Sequence, residues 1–245
     1  MAKNLQPGDT VYVPWARLKF TTAADQRPSA MTSATVLAIV ERKVELSVPG
    51  EEDPVTVASS AVHDNAGIAI IRIGDFASEA TLLDPLAKSV LQYCRLLVTD
   101  DVRLWELRTE IELRQIWTQY HGAYRHVVLI AHGGPNGLTF GTDPVSAESL
   151  GQVFSLEDQA QKLFISLCCE TGQANFARPF SMAAGCEALI APFQSIHGAV
   201  GSQFCQTLLA FHLLEGRTTK VAFKNAQQLV PNGARFRFWQ KGELV

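Results

Sequence analysis

Two apolar runs, each closed by residues able to do chemistry, constrain this chain more than any other feature. His126-Val-Val-Leu-Ile-Ala131 leads into His132-Gly133-Gly134, and Leu163-Phe-Ile-Ser-Leu167 leads into Cys168-Cys169-Glu170-Thr171-Gly172. A strand covered on both faces has no polar side to alternate with. Runs of five or six mostly apolar residues ended by glycine signals therefore predict a parallel sheet with helices on both faces. Ligands of such sheets bind beyond the carboxyl ends of the strands, so the imidazole of His132 and the thiol of Cys169 are expected on one edge.

The surrounding sequence repeats the pattern from Gly67 onward. Ile68 to Ile73 is a buried strand, and Leu82 to Tyr93 holds apolar residues at helical spacing; Val102 to Leu107 is extended, and Glu110 to Tyr120 is helical before Gly122. Gly137 to Gly141 reads as a small hairpin, followed by a helix with Ser146 as N-cap and Leu150 and Val153 on its apolar side. Asn175 to Met182 forms a loop and helix, and Cys186 to Ala191 is a further buried strand ending at Pro192. A helix from Val200 to Leu214 is stopped by Gly216, another opens at Thr218, and Arg235 to Trp239 alternates like an edge strand. Strands alternating with helices of this length imply right-handed crossovers in a parallel α/β sheet.

Residues 1–66 have a different texture. Short β-type runs at Asp9–Val13, Ala34–Val40, Lys43–Val48 and Pro54–Val57 are separated by turns, and the third and fourth alternate apolar with polar. A small all-β barrel fits, and the domains divide as 1–66 and 67–245. The opening Pro-Gly-Asp-x-Val-x-Val, the Ala-x-Val strand and the Val-x-Leu strand resemble SH3-like or KOW/Tudor-like barrels. Two readings stay open: a docking module that recruits an activating or target protein through Tyr12, Trp15 and Phe20, or a structural cap on the second domain.

Composition excludes several classes. The net charge of −3, with basic residues adjoining only in fragments such as Arg42-Lys43, gives no footprint for nucleic acid. Apolar residues make up 47% of the 245 and charged ones 18%, which places the chain among folded globular proteins. No run approaches a membrane span and the start lacks a signal-peptide core, so a cytoplasmic location is expected. Cys94, Cys168, Cys169, Cys186 and Cys205 form an odd set without CxxC spacing. That pattern argues against a disulfide framework and a structural zinc site, and no cofactor or metal is called for.

A strand ending in His-Gly followed by one ending in Cys resembles the caspase-like (clan CD) cysteine peptidases. Within that group, Ser166-Leu-Cys-Cys169-Glu-Thr-Gly172 resembles the Ser-Ala-Cys-Glu-Thr-Gly block of CHAT domains. His132 lies 37 positions before Cys169, room for one hairpin and one helix as the family has it. Met182 to Ile190 and Lys220 to Gln227 resemble later family elements, so the likeness spans 67–245. It implies Cys169 as nucleophile, His132 as general acid/base, and the amides of Gly133 and Cys169 as oxyanion hole, with Gly134 and Glu170 bordering the substrate. The chemistry asks for the same pair, because a thiol becomes a nucleophile when an imidazole takes its proton and later returns it to the leaving amine.

The chain departs from the family pattern at Cys168, where the family has a small residue, and at Pro192 to His197, which replaces a Leu-Trp pair. Alternation along the strand turns Cys168 inward, away from Cys169. Plain structural roles compete elsewhere: core packing for Cys94, Cys186 and Cys205, ordinary polar duty for His197, His212 and Asp143, and a helix cap for Glu170 as an alternative to a substrate contact. The leading expectation is a regulated bacterial cysteine endopeptidase acting on a protein or peptide. The alternatives are a catalytically idle caspase-like scaffold and a thiol-dependent small-molecule enzyme; the missing Gly-rich phosphate loop after Ile73 weakens the last.

Overall fold

The computed structural model describes residues 5–18, 29–157, 160–183 and 185–245. At the amino end, β1 (Thr10–Pro14), β2 (Met31–Val40), β3 (Lys43–Ser47) and β4 (Val55–Ala58) form an antiparallel meander in that spatial order. Alternation puts Val11, Val13, Ala34, Val36, Val44, Leu46 and Val57 on one buried side. The sequence leads one to expect a small all-β barrel; the described strands make an all-β antiparallel sheet with β1 and β4 at its margins, which supports the all-β unit and the barrel closure only loosely. The proposed docking aromatics also differ from expectation. Tyr12 packs against the larger core and Trp15 against the meander's own core, while Phe20 lies outside the described residues.

The larger part is built from β5 (Gly67–Ile73), α1 (Asp84–Val98), β6 (Val102–Leu107), α2 (Glu110–Tyr120) and β7 (Tyr124–Ile130). A three-stranded sheet of β8 (Gly133–Gly134), β9 (Gly137–Phe140) and β10 (Asp143–Ser146) follows, with α3 (Ala147–Val153), β11 (Lys162–Ser166) and α4 (Ala174–Met182) after it. The chain continues through β12 (Cys186–Pro192), α5 (Gly198–Leu209), α6 (Thr219–Leu229), β13 (Phe236–Gln240) and β14 (Glu243–Leu244). Seven strands form the main sheet in the order β14-β13-β12-β11-β7-β5-β6; the five from β12 to β6 are parallel, and β13 and β14 are antiparallel.

Because β5, β7 and β11 sit mid-sheet, both faces are apolar. Ile68, Ile70, Val128 and Ile165 meet α1, α5 and α6 on one side, and Ala69, Ile71, Val127 and Phe164 meet α2, α3 and α4 on the other. Phe154, Phe164 and Phe180 stack edge to face at 4.9 and 5.0 Å in the second core. Helix α2 starts where its sequence dictates: Thr109 accepts from the Glu112 amide while Glu112 accepts from the Thr109 amide, a reciprocal cap that satisfies two end donors. Helix α1 begins at Asp84 rather than Leu82, because Pro85 suits the first turn, and a π-turn over Glu79–Leu83 precedes it.

The meander is fastened to this frame. The Ala30 amide donates to the Leu97 carbonyl at 2.6 Å, Arg17 Nε donates to the Gly216 carbonyl at 2.6 Å, and Tyr12 forms a β-bridge with His63. At this seam His63, His126 of β7 and His212 gather, with ring centroids 5.3 to 6.4 Å apart and all three rings buried. Burial lowers all three from the ordinary imidazole value, His63 and His126 well below it. Among the described residues no three His, Cys, Asp or Glu side chains are grouped to hold a metal ion, and no helix is long and apolar enough to cross a membrane.

Candidate active site

The carboxyl ends of β5, β7 and β11 deliver three adjacent segments to one edge of the sheet. Of the five cysteines, all described, only Cys169 is partly exposed. Its Sγ lies 3.9 Å from the Ile196 carbonyl oxygen. Cys168 points the other way: it is fully buried, its thiol reaches the Leu129 carbonyl at 3.5 Å, and burial pushes it up to about 12. Burial likewise raises Cys94 to about 12 and lifts Cys186 and Cys205, so the inert thiols are those packed in the cores.

The residue types around Cys169 follow from how its turn is held. Thr171 is buried and its hydroxyl donates to the Cys168 carbonyl at 2.8 Å while sharing a 2.7 Å hydrogen bond with Ser166; the Cys168 amide donates to that same serine at 3.2 Å. Glu170 takes a left-handed φ of 64°. Gly172 presses against β12: its amide donates to the Pro192 carbonyl at 2.7 Å, and a Cβ there would stand 2.5 Å from the Ala191 carbonyl oxygen. Trp239 Nε1 closes the turn by donating to the Gly172 carbonyl at 3.0 Å. A Cys-Glu-Thr-Gly run is what this turn requires: an exposed thiol, a residue bent left-handed, a stapling hydroxyl and no side chain. Helix α4 begins only at Ala174 with Gln173 as an uncapped N-cap, so the cap reading of Glu170 is corrected; it is a half-exposed turn residue.

His132 follows β7, and Gly133 beside it touches the cysteine turn directly. A Cβ on Gly133 would lie 2.7 Å from the Cys169 carbonyl oxygen and 2.8 Å from Cys168 Cβ. Gly134 pairs with Gly137 and has open space beside it. The imidazole is 44% exposed, and its Nε2 is engaged on the third segment: 2.6 Å from Ser78 Oγ and 3.2 Å from Asp75 Oδ2. Burial would raise the Asp75 carboxyl, yet the Ser78 amide and hydroxyl and the His132 ring outweigh it and hold Asp75 below its usual range.

Sequence reasoning missed Asp75 and Ser78. The signal was topological: Ile73-Gly74-Asp75 closes a strand parallel to β7, so its end has to emerge on the same edge. A partly buried ion network, in which Arg72 also lies 3.5 Å from Glu79, fixes this loop. Arg108 grips Glu79 with Nε and Nη2 at 2.8 and 2.7 Å and holds its carboxyl down to about 2. Arg72, inside β5, reaches Asp84 at 3.0 Å and Glu106 at 2.9 Å. The segment Phe193 to His197 runs on the far side of Cys169, with Arg237 over the Phe193 ring at 4.2 Å and Arg235 Nη1 on the Ser195 carbonyl at 3.1 Å. His197 caps α5 by accepting from the Ala199 amide at 3.2 Å, and His212 Nδ1 shares a 2.8 Å hydrogen bond with the Arg217 carbonyl.

No protein-family model matches the chain, and no curated protein matches it. Among solved structures it is similar to a secreted C11 cysteine protease from Bacteroides thetaiotaomicron, solved in complex with an irreversible peptide inhibitor. The two are 8% identical with a TM-score of 0.50, over 67% of this chain and 58% of that one. The chain thus spans less than two thirds of that protein's length. The likeness shows the fold: a large, mostly parallel sheet flanked by helices, of the caspase-like kind.

Proposed function

We propose that the chain is a cysteine endopeptidase that cleaves peptide bonds in a protein substrate with His132 and Cys169. One observation supports this most: the single partly exposed thiol of five stands on a glycine-closed turn that abuts the His132-Gly133 segment. Since Nε2 of His132 is held by Ser78 and Asp75, Nδ1 is the nitrogen left for proton exchange with the thiol. The Cys169 thiolate attacks the scissile carbonyl carbon, the C–N bond breaks, and His132 returns the proton to the departing amine. Water, deprotonated by the same imidazole, then cleaves the thioester and frees the carboxylate product. Asp75 and Ser78 hold the ring in orientation throughout.

The developing oxyanion is assigned to the amides of Gly133 and Cys169, whose backbones are in contact; one such donor is worth about 3 kcal/mol in the barrier. Gly134 and Glu170 are assigned to the rim of the substrate groove. The finer likeness to CHAT domains rests on Ser166 to Gly172 and the His132-Gly133-Gly134 end. With it comes the role of a bacterial effector released by a partner, for which residues 1–66 form the recruiting or gating unit and 67–245 the peptidase. Five unpaired thiols suit a reducing compartment such as the cytoplasm.

The test is intact-mass analysis after incubation with peptidyl acyloxymethyl ketones of varied P1. Wild type and Cys168→Ala should gain one adduct, and Cys169→Ala none. An adduct that persists in Cys169→Ala would overturn the assignment, and absence of any adduct in wild type would favour the idle scaffold.

A further inference from the structure

The opposite end of the sheet holds a feature that the peptidase chemistry does not use. Where β6 and β7 begin, a cleft of about 410 Å³ is lined by Asp100, Asp101, Arg103, Trp105, Tyr120 and Tyr124. With strands of about seven residues at roughly 3.3 Å each, it lies about 20 Å from the carboxyl edge that bears Cys169.

The cleft follows from local sequence. Asp101, Arg103 and Trp105 share one side of an edge strand by alternation, and Tyr124 reaches them across the start of β5 because Gly67 has no side chain. A Cβ there would collide with the Ala123 carbonyl and stand 3.2 Å from Tyr124 Cδ1. Tyr124 meets Trp105 edge to face at 5.0 Å, and Tyr120 lies 6.0 Å from it at 31°. Burial raises the Tyr124 phenol, with Tyr120 and Asp101 adding to the rise and Arg103 opposing it, so these groups share one small field. Two carboxylates against one guanidinium leave the lining net negative. Aromatic faces beside carboxylates favour an amine or guanidinium.

Directly alongside runs an unpaired sheet edge. The Ile68 amide donates to the Asp101 carbonyl and the Gly74 amide to the Leu107 carbonyl, both at 2.8 Å. Odd-numbered residues of β6 therefore face β5, and Val102, Leu104 and Glu106 present their N–H and C=O groups outward. Strand β6 ends the sheet order, with no second neighbour among the described residues. An open edge takes up an extended chain through main-chain hydrogen bonds, and an adjoining pocket reads its side chains.

We propose that β6 and this cleft form a second peptide site, which adds an extended, lysine- or arginine-bearing segment of another protein as an eighth strand, its cationic side chain entering between Trp105, Tyr124 and the Asp100-Asp101 pair. The reading stands independently of the peptidase assignment.

Fluorescence anisotropy of the full chain with a labelled peptide alternating valine and lysine tests it, in the Cys169→Ala background so that the peptide stays intact. The lysine peptide should bind. Replacing its lysines by glutamate should abolish binding, and methylating alternate backbone amides should weaken it about tenfold. On the protein, Trp105→Phe and Asp101→Asn should each weaken binding about three- to fivefold, and Trp105→Ala about tenfold. Equal binding of the glutamate peptide, indifference to all three substitutions, or N-acetyl-lysine methylamide binding as tightly as the peptide would each overturn the proposal. Far-ultraviolet circular dichroism confirms that each variant is folded, and Asp101→Asn, on an exposed residue, keeps the test sound should Trp105→Ala not fold.

Discussion

Strand β7 bears one histidine near its start and delivers another just past its end, and the two are treated in opposite ways. His126 is fully buried and packs against His63 and His212. His132, six residues on, is nearly half exposed and sits against Ser78 and Asp75. Burial disfavours the imidazolium at the first position, while at the second a carboxylate oxygen of Asp75 stands 3.2 Å from the ring. One strand thus carries a histidine sealed in the core and leads to another set among polar side chains at the sheet edge.

The strongest test at the chemical end is removal of the thiol. Cys169→Ala should lower kcat/KM on a peptide substrate by about 10⁴-fold or more, as loss of a nucleophile does. Cys168→Ala should leave kcat/KM within about threefold and show its effect in thermal melting instead. Equal losses from the two would erase the distinction between the sulfurs.

At the buried end the largest expected effect is on stability in acid. His63, His126 and His212 have folded-state values depressed below 6.5. Their contribution is therefore complete above the unfolded value near 6.5 and is lost as pH falls below it. Each histidine that stays neutral in the fold contributes a slope of at most about 1.4 kcal/mol per pH unit below that value, so stability should fall as the medium is acidified. Urea unfolding at pH 7.5, 6.5 and 5.5 measures this, and His126→Leu should make the slope shallower. The guanidinium of Arg125 adds to the depression at His126 and Glu187 opposes it at His212; the two are themselves ion-paired.

Smaller effects sharpen the comparison. Asp75→Asn should lower kcat by about 10- to 100-fold with little change in KM, because the carboxylate acts on the imidazolium and not on bound substrate. Stopped assays across a substrate series separate the two constants. Arg108→Gln, at a half-exposed ion pair, should lower the melting temperature only slightly and cost about twofold in kcat. Since Arg108 holds Glu79 down to about 2, the stabilisation from Glu79 is present above pH 4.5 and lost as pH falls toward 2. Arg108→Gln should flatten melting temperatures in that window.

Much of the sheet was legible because both faces of β5, β7, β11 and β12 are covered, so their sequences are apolar throughout. Helix α2 was legible over Glu110 to Tyr120 because its apolar spacing and its flanks agree. Antiparallel β14 escaped notice because two exposed residues, Glu243 and Leu244, carry no pattern, and the π-turn before α1 because Leu82 and Leu83 extend the helical spacing. His132 and Cys169 could be picked out since each follows a strong strand. Asp75 and Ser78 could not, for nothing local marks a polar loop as the neighbour of an imidazole 54 residues away. The trio of His63, His126 and His212 was equally hidden: its members come from a connecting segment, a strand and a helical turn, with no periodicity joining them.

The bond from Trp239 to the Gly172 carbonyl also orders events in time. The ribosome releases Cys169 well before it has made the indole that clamps the cysteine's turn, since 70 residues separate the two. Until β13 is synthesised and docks beside β12, the turn lacks its last fastening. A nascent chain therefore exposes the Cys169 thiol before the turn around it is fully fastened.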